Sequence, residues 1–388
     1  MPNVLLQIVN STLKNANYMP FLIISVCSGI PRKQARRGIG KDQKKYLEKR
    51  MRNATVIYRP KAPIFGITQA HLFYRTAVIQ IGKGNGNMYL SGFTDEAGKD
   101  ISTQLNVLRE LGWHNMESRA IGDSNLAGIT DSQFEELRQK LAEAGVKINC
   151  YGSTVANWAN PITESPDRSF AEMRAALPRM NKLGIKMIRI MSFAVPQELK
   201  PHAMDFFDEV IRRLKTIVGM AEDAGVVCVH ENCMNWGGLS YEHTLRLCDA
   251  LASSPSFRLV FDIGNPVFND DIRGEAPYHS QSSWDFYCNV KEFIAHIHVK
   301  DGRRDHGKMI FTFPGEGDAD VRRILSDLLK SGYDGGISIE PHMVRVFHEK
   351  EDGQDKDKTA FGNFVEYGRR LENMAVEGTG KQVKDFVN

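Results

Sequence analysis

From residue 88 onward, short runs rich in β-branched and apolar residues alternate with stretches whose apolar positions recur every three or four residues. Eight such runs read as strands: Tyr89–Asp95, Trp113–Ser118, Val146–Tyr151, Met187–Phe193, Val226–Glu231, Arg258–Asp262, Ile294–Val299 and Gly336–Glu340. Their starts lie 24 to 42 residues apart, room for one strand, one helix and two loops. Between them, Ile101, Leu105 and Leu108, then Phe134, Leu137 and Leu141, then Phe206, Val210, Leu214 and Val218 mark helix faces that would pack on a sheet. Thr130-Asp131-Ser132-Gln133 has the form of a capping box, and Gly145, Gly184 and Gly225 each end a helix just before a strand. Eight βα units predict an α/β fold, a (β/α)8 TIM barrel over residues 88–388. An open doubly wound sheet is the alternative, disfavoured because no strand leads into a G-x-G-x-x-G helix start.

Residues 1–87 carry no sustained period and are read as a basic, poorly ordered and non-catalytic extension. They hold 15 Lys+Arg against 2 Asp+Glu, a local charge of +13, so the formal +3 of the 388-residue chain leaves 35 minus 45, or -10, for the rest. An acidic barrel argues against a nucleic-acid partner. The apolar run Phe21–Cys27 is too short for a membrane span, and its basic cluster follows it instead of preceding it as in a secretory signal. Met88 directly precedes the first strand and would serve as an alternative start. The six cysteines include no C-x-x-C pair and read as scattered reduced thiols, which suits a cytoplasmic location.

Catalytic groups of a barrel gather at the C-terminal ends of its strands. There the fifth strand ends in Glu231, the sixth in Asp262, the seventh in His296-Ile297-His298-Val299-Lys300-Asp301 and the eighth in Glu340. Three carboxylates and an imidazole form a hard donor set suited to Mn²⁺, with Mg²⁺, Co²⁺ or Zn²⁺ as alternatives. A lone glutamate at a strand end is more often a salt bridge; four such groups on successive strands are harder to dismiss. His296 points inward one layer below His298 and is either a substrate contact or a core histidine. Trp158, Trp236 and Phe93, on or beside βα loops, are candidates to stack on the face of a bound ring. Lys300 either touches substrate or neutralises Asp301, Glu117 and Arg189 are expected to form an inward ion pair, and Asp318 is expected to cap the seventh helix.

The order Glu231, Asp262, His298, Glu340, with His-x-His-x-Lys-Asp on the seventh strand and Gly315-Glu316-Gly317-Asp318 before the seventh helix, resembles the xylose-isomerase-like superfamily of sugar and sugar-phosphate isomerases and epimerases. The resemblance spans about residues 89–375. It implies one divalent metal held by those four residues, with Glu231 and Glu340 moving a proton on the carbon next to a carbonyl through an enediolate. Arg304 matches in position an arginine that ketose epimerases use to steady substrate oxygens. Two positions depart from those enzymes: Gly237 replaces an acidic residue, and Asn265, read as a substrate contact, replaces a histidine. Pro266–Ser283 is long enough for a lid over a larger substrate, and Cys150-Tyr151-Gly152-Ser153-Thr154 lacks the histidines of a three-zinc endonuclease.

The expected activity is therefore metal-dependent isomerisation or epimerisation of a sugar, sugar phosphate or related polyol ketone. A metal-dependent dehydratase or lyase acting on a keto-sugar or keto-inositol is the alternative, and a non-catalytic binding barrel a more distant one. The partner is a small carbohydrate, without nucleic acid or membrane; self-association into a homo-oligomer is left open.

Overall fold

The computed structural model describes residues 88–343 and 354–386, together with a short antiparallel pair, Gln7–Val9 with Ile23–Ser25, upstream. The rest of the segment 1–87, with its basic and glycine-rich runs, lies outside the described residues.

Eight parallel strands form the barrel: β1 Tyr89–Gly92, β2 Asn115–Ser118, β3 Lys147–Gly152, β4 Met187–Ile190, β5 Val227–Glu231, β6 Phe257–Asp262, β7 Ile294–Val299 and β8 Gly336–Ile339. Their hydrogen-bonded order is β1-β8-β7-β6-β5-β4-β3-β2, and a parallel bridge between Phe93 and Glu117 brings the two edges together. Each predicted strand is present. Several are shorter than predicted at their C-terminal ends, because the chain leaves the sheet there to form the βα loops.

The covering helices are α1 Ile101–Leu111, α2 Asp131–Ala144, α3 Asp167–Leu183, α4 Phe207–Asp223, α5 Tyr241–Leu251, α6 Ser283–Val290, α7 Val321–Lys330 and α8 Gln354–Thr379. Leu105, Leu108, Phe134, Leu137, Leu141, Val210, Leu214 and Val218 are buried against the sheet, as the helical period requires. Thr130 and Gln133 form the reciprocal capping box. Gly112, Gly145 and Gly184 end their helices in the left-handed conformation that only glycine adopts without strain. Asp318 does not cap α7: the residue before that helix is Asp320, and its side chain makes no capping bond.

Inside the barrel a small apolar layer of Cys150, Val229 and Val260, flanked by Met187, Val227 and Ala295, forms a packed floor. Polar side chains stand above it. Residues alternate in and out along each strand, so Glu231 points inward whereas His230 faces the helices. Burial there pushes the His230 imidazole down to about 4. Among the described residues no helix is long and apolar enough to cross a membrane, and Cys150, Cys228, Cys233, Cys248 and Cys288 are free thiols.

Candidate metal centre at the mouth of the barrel

Four side chains converge where the sequence places them. Ligand-capable atoms of Glu231, Asp262, His298 and Glu340 all lie within 4.8 Å of one another, and all four residues are buried. Strand register produces this: Asp262 pairs with His298 across β6 and β7, and Glu340 follows β8 with its backbone N–H donating to Val299 at 3.0 Å. His298 Nδ1 stands 4.0 Å from both Glu231 Oε1 and Glu340 Oε2.

Each of the four side chains is held from behind. The Glu117 carboxylate lies 3.1 Å from His298 Nε2 and 2.9 Å from His296 Nε2. Glu117 thereby occupies the outer nitrogen of His298 and leaves Nδ1 turned to the cluster without a hydrogen-bond partner. Asn265 donates to Glu231 Oε1 at 2.9 Å, and the backbone N–H groups of Gly264 and Asn265 both donate to Asp262 Oδ1 at 2.8 Å. Arg119 donates to Glu340 Oε1 at 2.8 Å while its other nitrogens reach Asp95 and Glu96. Asp262 Oδ2 and Glu231 Oε2 are likewise buried without a hydrogen bond, although Lys300 and Arg189 stand 3.0 and 3.2 Å away respectively. Buried polar atoms are normally satisfied. His298 Nδ1 has no hydrogen bond, and the two carboxylate oxygens are met only by cationic side chains, so all three atoms belong to a donor set that suits a cation.

The electrostatics follow from these contacts. Burial raises the Asp262 carboxyl to about 7, against the attraction of Lys300. Burial would raise Glu340 too, but Lys300, His342, Arg119 and His298 together hold it well below the usual carboxylate range. His298 resists its burial and rises to about 9, because Glu117, Glu231 and Glu340 favour its cation. Glu117, despite burial, is held well down by His298 and His296.

The remaining predicted residues separate. Lys300 joins the cluster, 2.9 Å from Glu340 Oε2. It does not neutralise Asp301, whose carboxylate accepts backbone N–H groups from Gly302, Gly315, Gly317 and Ala319. The glycine-rich run Gly315–Asp318 thus wraps an aspartate, and a Cβ on Gly317 would fall 2.3 Å from Asp301 Oδ1. His296 is fully buried against Glu117, beneath the cluster. Arg304, on the hairpin Asp301–Asp305 and Lys308–Thr312, pairs with Asp270 at 2.7 Å and donates to the Phe268 carbonyl. Trp158 is 40% exposed on the loop after β3.

Two expectations are corrected. Glu117 and Arg189 both face inward, but Glu117 engages the two histidines and Arg189 engages Glu231; the charges are closer to those partners than to each other. Trp236 is fully buried, donates to the Ala203 carbonyl at 2.6 Å and packs on Phe207 and His243, so it offers no face to a ligand.

Phe93 is also fully buried, but beside the centre: its ring meets His298 edge-on at 5.0 Å and lies 4.6 and 5.2 Å from the Arg119 and Arg189 guanidinium carbons. Gly152 makes space for it, since a Cβ there would fall 2.6 Å from Phe93 Cε1. Gly237 is equally constrained. A Cβ would come within 2.5 Å of His230 Cε1 and 2.7 Å of Leu247, so the acidic side chain of ketose epimerases has no room at this position.

Sequence reasoning missed Arg119 and the pair Glu96–His342. Arg119 follows β2 by one residue, the position that the strand-end rule singles out. His342 Nδ1 lies 2.8 Å from Glu96 Oε1, with its backbone in the left-handed region at φ 51°, which few non-glycine residues occupy. The segment Pro266–Ser283 is tied down rather than open. Gln281 donates to the carbonyls of Gly238, Leu239 and Asp270, and Asp270 bridges to Ser280.

Comparison with known proteins agrees with this architecture. An inosose dehydratase of Lacticaseibacillus casei is 27% identical over 157 residues, covering 36% of this chain and 49% of that protein; the chain spans about half the length of the curated relatives it matches. A xylose isomerase domain protein from Planctomyces limnophilus superposes with a TM-score of 0.54 at 18% identity, covering 76% of this chain and 98% of that one. A xylose isomerase-like TIM barrel protein from Mycobacterium smegmatis, solved in complex with magnesium, gives 0.52 at 18% identity, covering 75% and 98%. At these identities the structures establish the fold alone. The family described as xylose isomerase-like TIM barrel matches residues 105–360, and the chain belongs to it.

Proposed function

We propose that this protein is a divalent-metal-dependent isomerase or epimerase of a sugar, sugar phosphate or related polyol ketone, acting by proton transfer through an enediolate. The observation that carries the reading is the meeting of Glu231, Asp262, His298 and Glu340 at one point, with three buried atoms left without hydrogen bonds. Those four residues would hold the ion. Three carboxylates and one imidazole suit Mn²⁺ or Mg²⁺ better than a thiolate-seeking metal. A bound divalent ion supplies stabilisation of the negative charge that builds on the substrate's vicinal oxygens.

The chain's own residues do the rest. Glu231, oriented by Asn265, and Glu340, fixed by Arg119, form the proposed pair that removes and returns the proton. Trp158, 40% exposed on the loop after β3, is the aromatic side chain we assign to stack on a sugar ring.

The match to an inosose dehydratase favours a second reading, in which the same enediolate expels a β-hydroxyl. One experiment separates the two. The protein is incubated with ketoses, keto-inositols and keto-glycosides in D₂O with Mn²⁺ and followed by NMR. Solvent deuterium in recovered substrate or its epimer supports proton transfer, and a dehydrated product supports elimination. Purified protein that carries no divalent ion, gains no thermal stability from Mn²⁺ and exchanges no proton would refute both.

A further inference from the structure

Lys300 has a place that the proposed proton transfer does not use. Its Nζ sits 2.9 Å from Glu340 Oε2 and 3.0 Å from Asp262 Oδ2, and the whole residue is buried. The two nearby arginines attach elsewhere, Arg119 to Glu340 Oε1 and Arg189 beside Glu231 Oε2. The ammonium therefore lies on the oxygens that face into the cluster. The backbone makes room for the lysine stem: a Cβ on Gly264 would fall 2.9 Å from Lys300 Cγ and 2.8 Å from its carbonyl oxygen.

We propose that Lys300 is a resident counter-ion of this acidic cluster, and that a divalent ion enters by displacing its ammonium from Asp262 and Glu340. The inference rests on the assignment of Glu231, Asp262, His298 and Glu340 as metal ligands. Without a cation, three buried carboxylates in one small volume repel one another and lose hydration. Lys300 offsets that repulsion in the metal-free fold. An ammonium and a divalent ion on the same two oxygens repel as well, and the flexible four-carbon stem of lysine lets the ammonium withdraw where a rigid guanidinium would not. Metal affinity is then set by an exchange of cations, weaker than the bare donor set would give.

The test uses the full chain, stripped of metal, with Mn²⁺ as the probe and calorimetry and thermal unfolding as readouts. Lys300→Met keeps the stem and removes the charge. It is expected to bind Mn²⁺ more tightly by on the order of tenfold or more, to melt lower than wild type when metal-free, and to gain more from Mn²⁺. Lys300→Arg keeps the charge and is expected to bind no more tightly than wild type; Lys300→Gln makes the same comparison if the methionine variant is not recovered folded. Unchanged or weakened Mn²⁺ binding in the uncharged variant, with wild type binding normally, would overturn the counter-ion role alone. Absence of binding in every protein would remove the ligand assignment, and this inference with it.

Discussion

Glu117→Gln isolates the group that holds the one imidazole of the centre. The substitution keeps the shape of the side chain and removes its charge between His296 and His298. In the metal-free protein His298 is raised from 6.5 to about 9. At about 1.4 kcal/mol for each tenfold gain in proton affinity, that is roughly 3 kcal/mol in favour of the cation. Burial acts against this, and Glu117 is the leading attraction, with Glu231 and Glu340 behind it. A folded-state affinity above the unfolded one contributes fully below the ordinary value and disappears as pH rises through about 9. The variant should therefore be less stable than wild type by about 2 to 3 kcal/mol near pH 6. Above about pH 9 the difference should shrink to roughly 1 kcal/mol, the worth of the neutral hydrogen bonds that change. Urea unfolding of metal-free protein, followed by circular dichroism across this range, measures it. Mn²⁺ affinity should also fall about 10- to 100-fold, since the ring loses the partner that aims Nδ1 at the cluster. A stability difference independent of pH, or unaltered metal affinity, would refute the assignment of Glu117 as the anchor of His298.

The metal-free wild type should be most stable in mildly acidic solution. Glu117 and Glu340, held low, lose their contribution in strong acid; Asp262, raised from 3.8 to about 7, and His298 each remove stability as pH climbs through their own ranges. Thermal melts should show this optimum moving to higher pH with Mn²⁺, because the ligands bind it deprotonated. Gly237→Ala should lower stability by about 1 to 3 kcal/mol through collision with His230 and Leu247. A melting temperature within error of wild type would show that this pocket yields.

The barrel, its covering faces and the four converging side chains were legible in the chain itself. Periodicity is local: a 3.6-residue face between strands, or a glycine after the last helical residue, acts through neighbours in sequence. The strand-end rule then placed Glu231, Asp262, His298 and Glu340 together, because parallel strands in a closed sheet bring all their C-terminal ends to one rim. What surrounds those four side chains was decided by tertiary structure. Arg119 meets Glu340 across 221 residues and His342 meets Glu96 across 246, separations at which sequence carries no distance. Glu117 chose two histidines over Arg189 because strand register and the closing bridge at Phe93 set which charges touch, at a scale of ångströms that residue types alone do not encode. Gly237 and Gly264 make the same point. Each is a common residue in the sequence, and only the packed neighbour, His230 or the stem of Lys300, shows why no side chain fits.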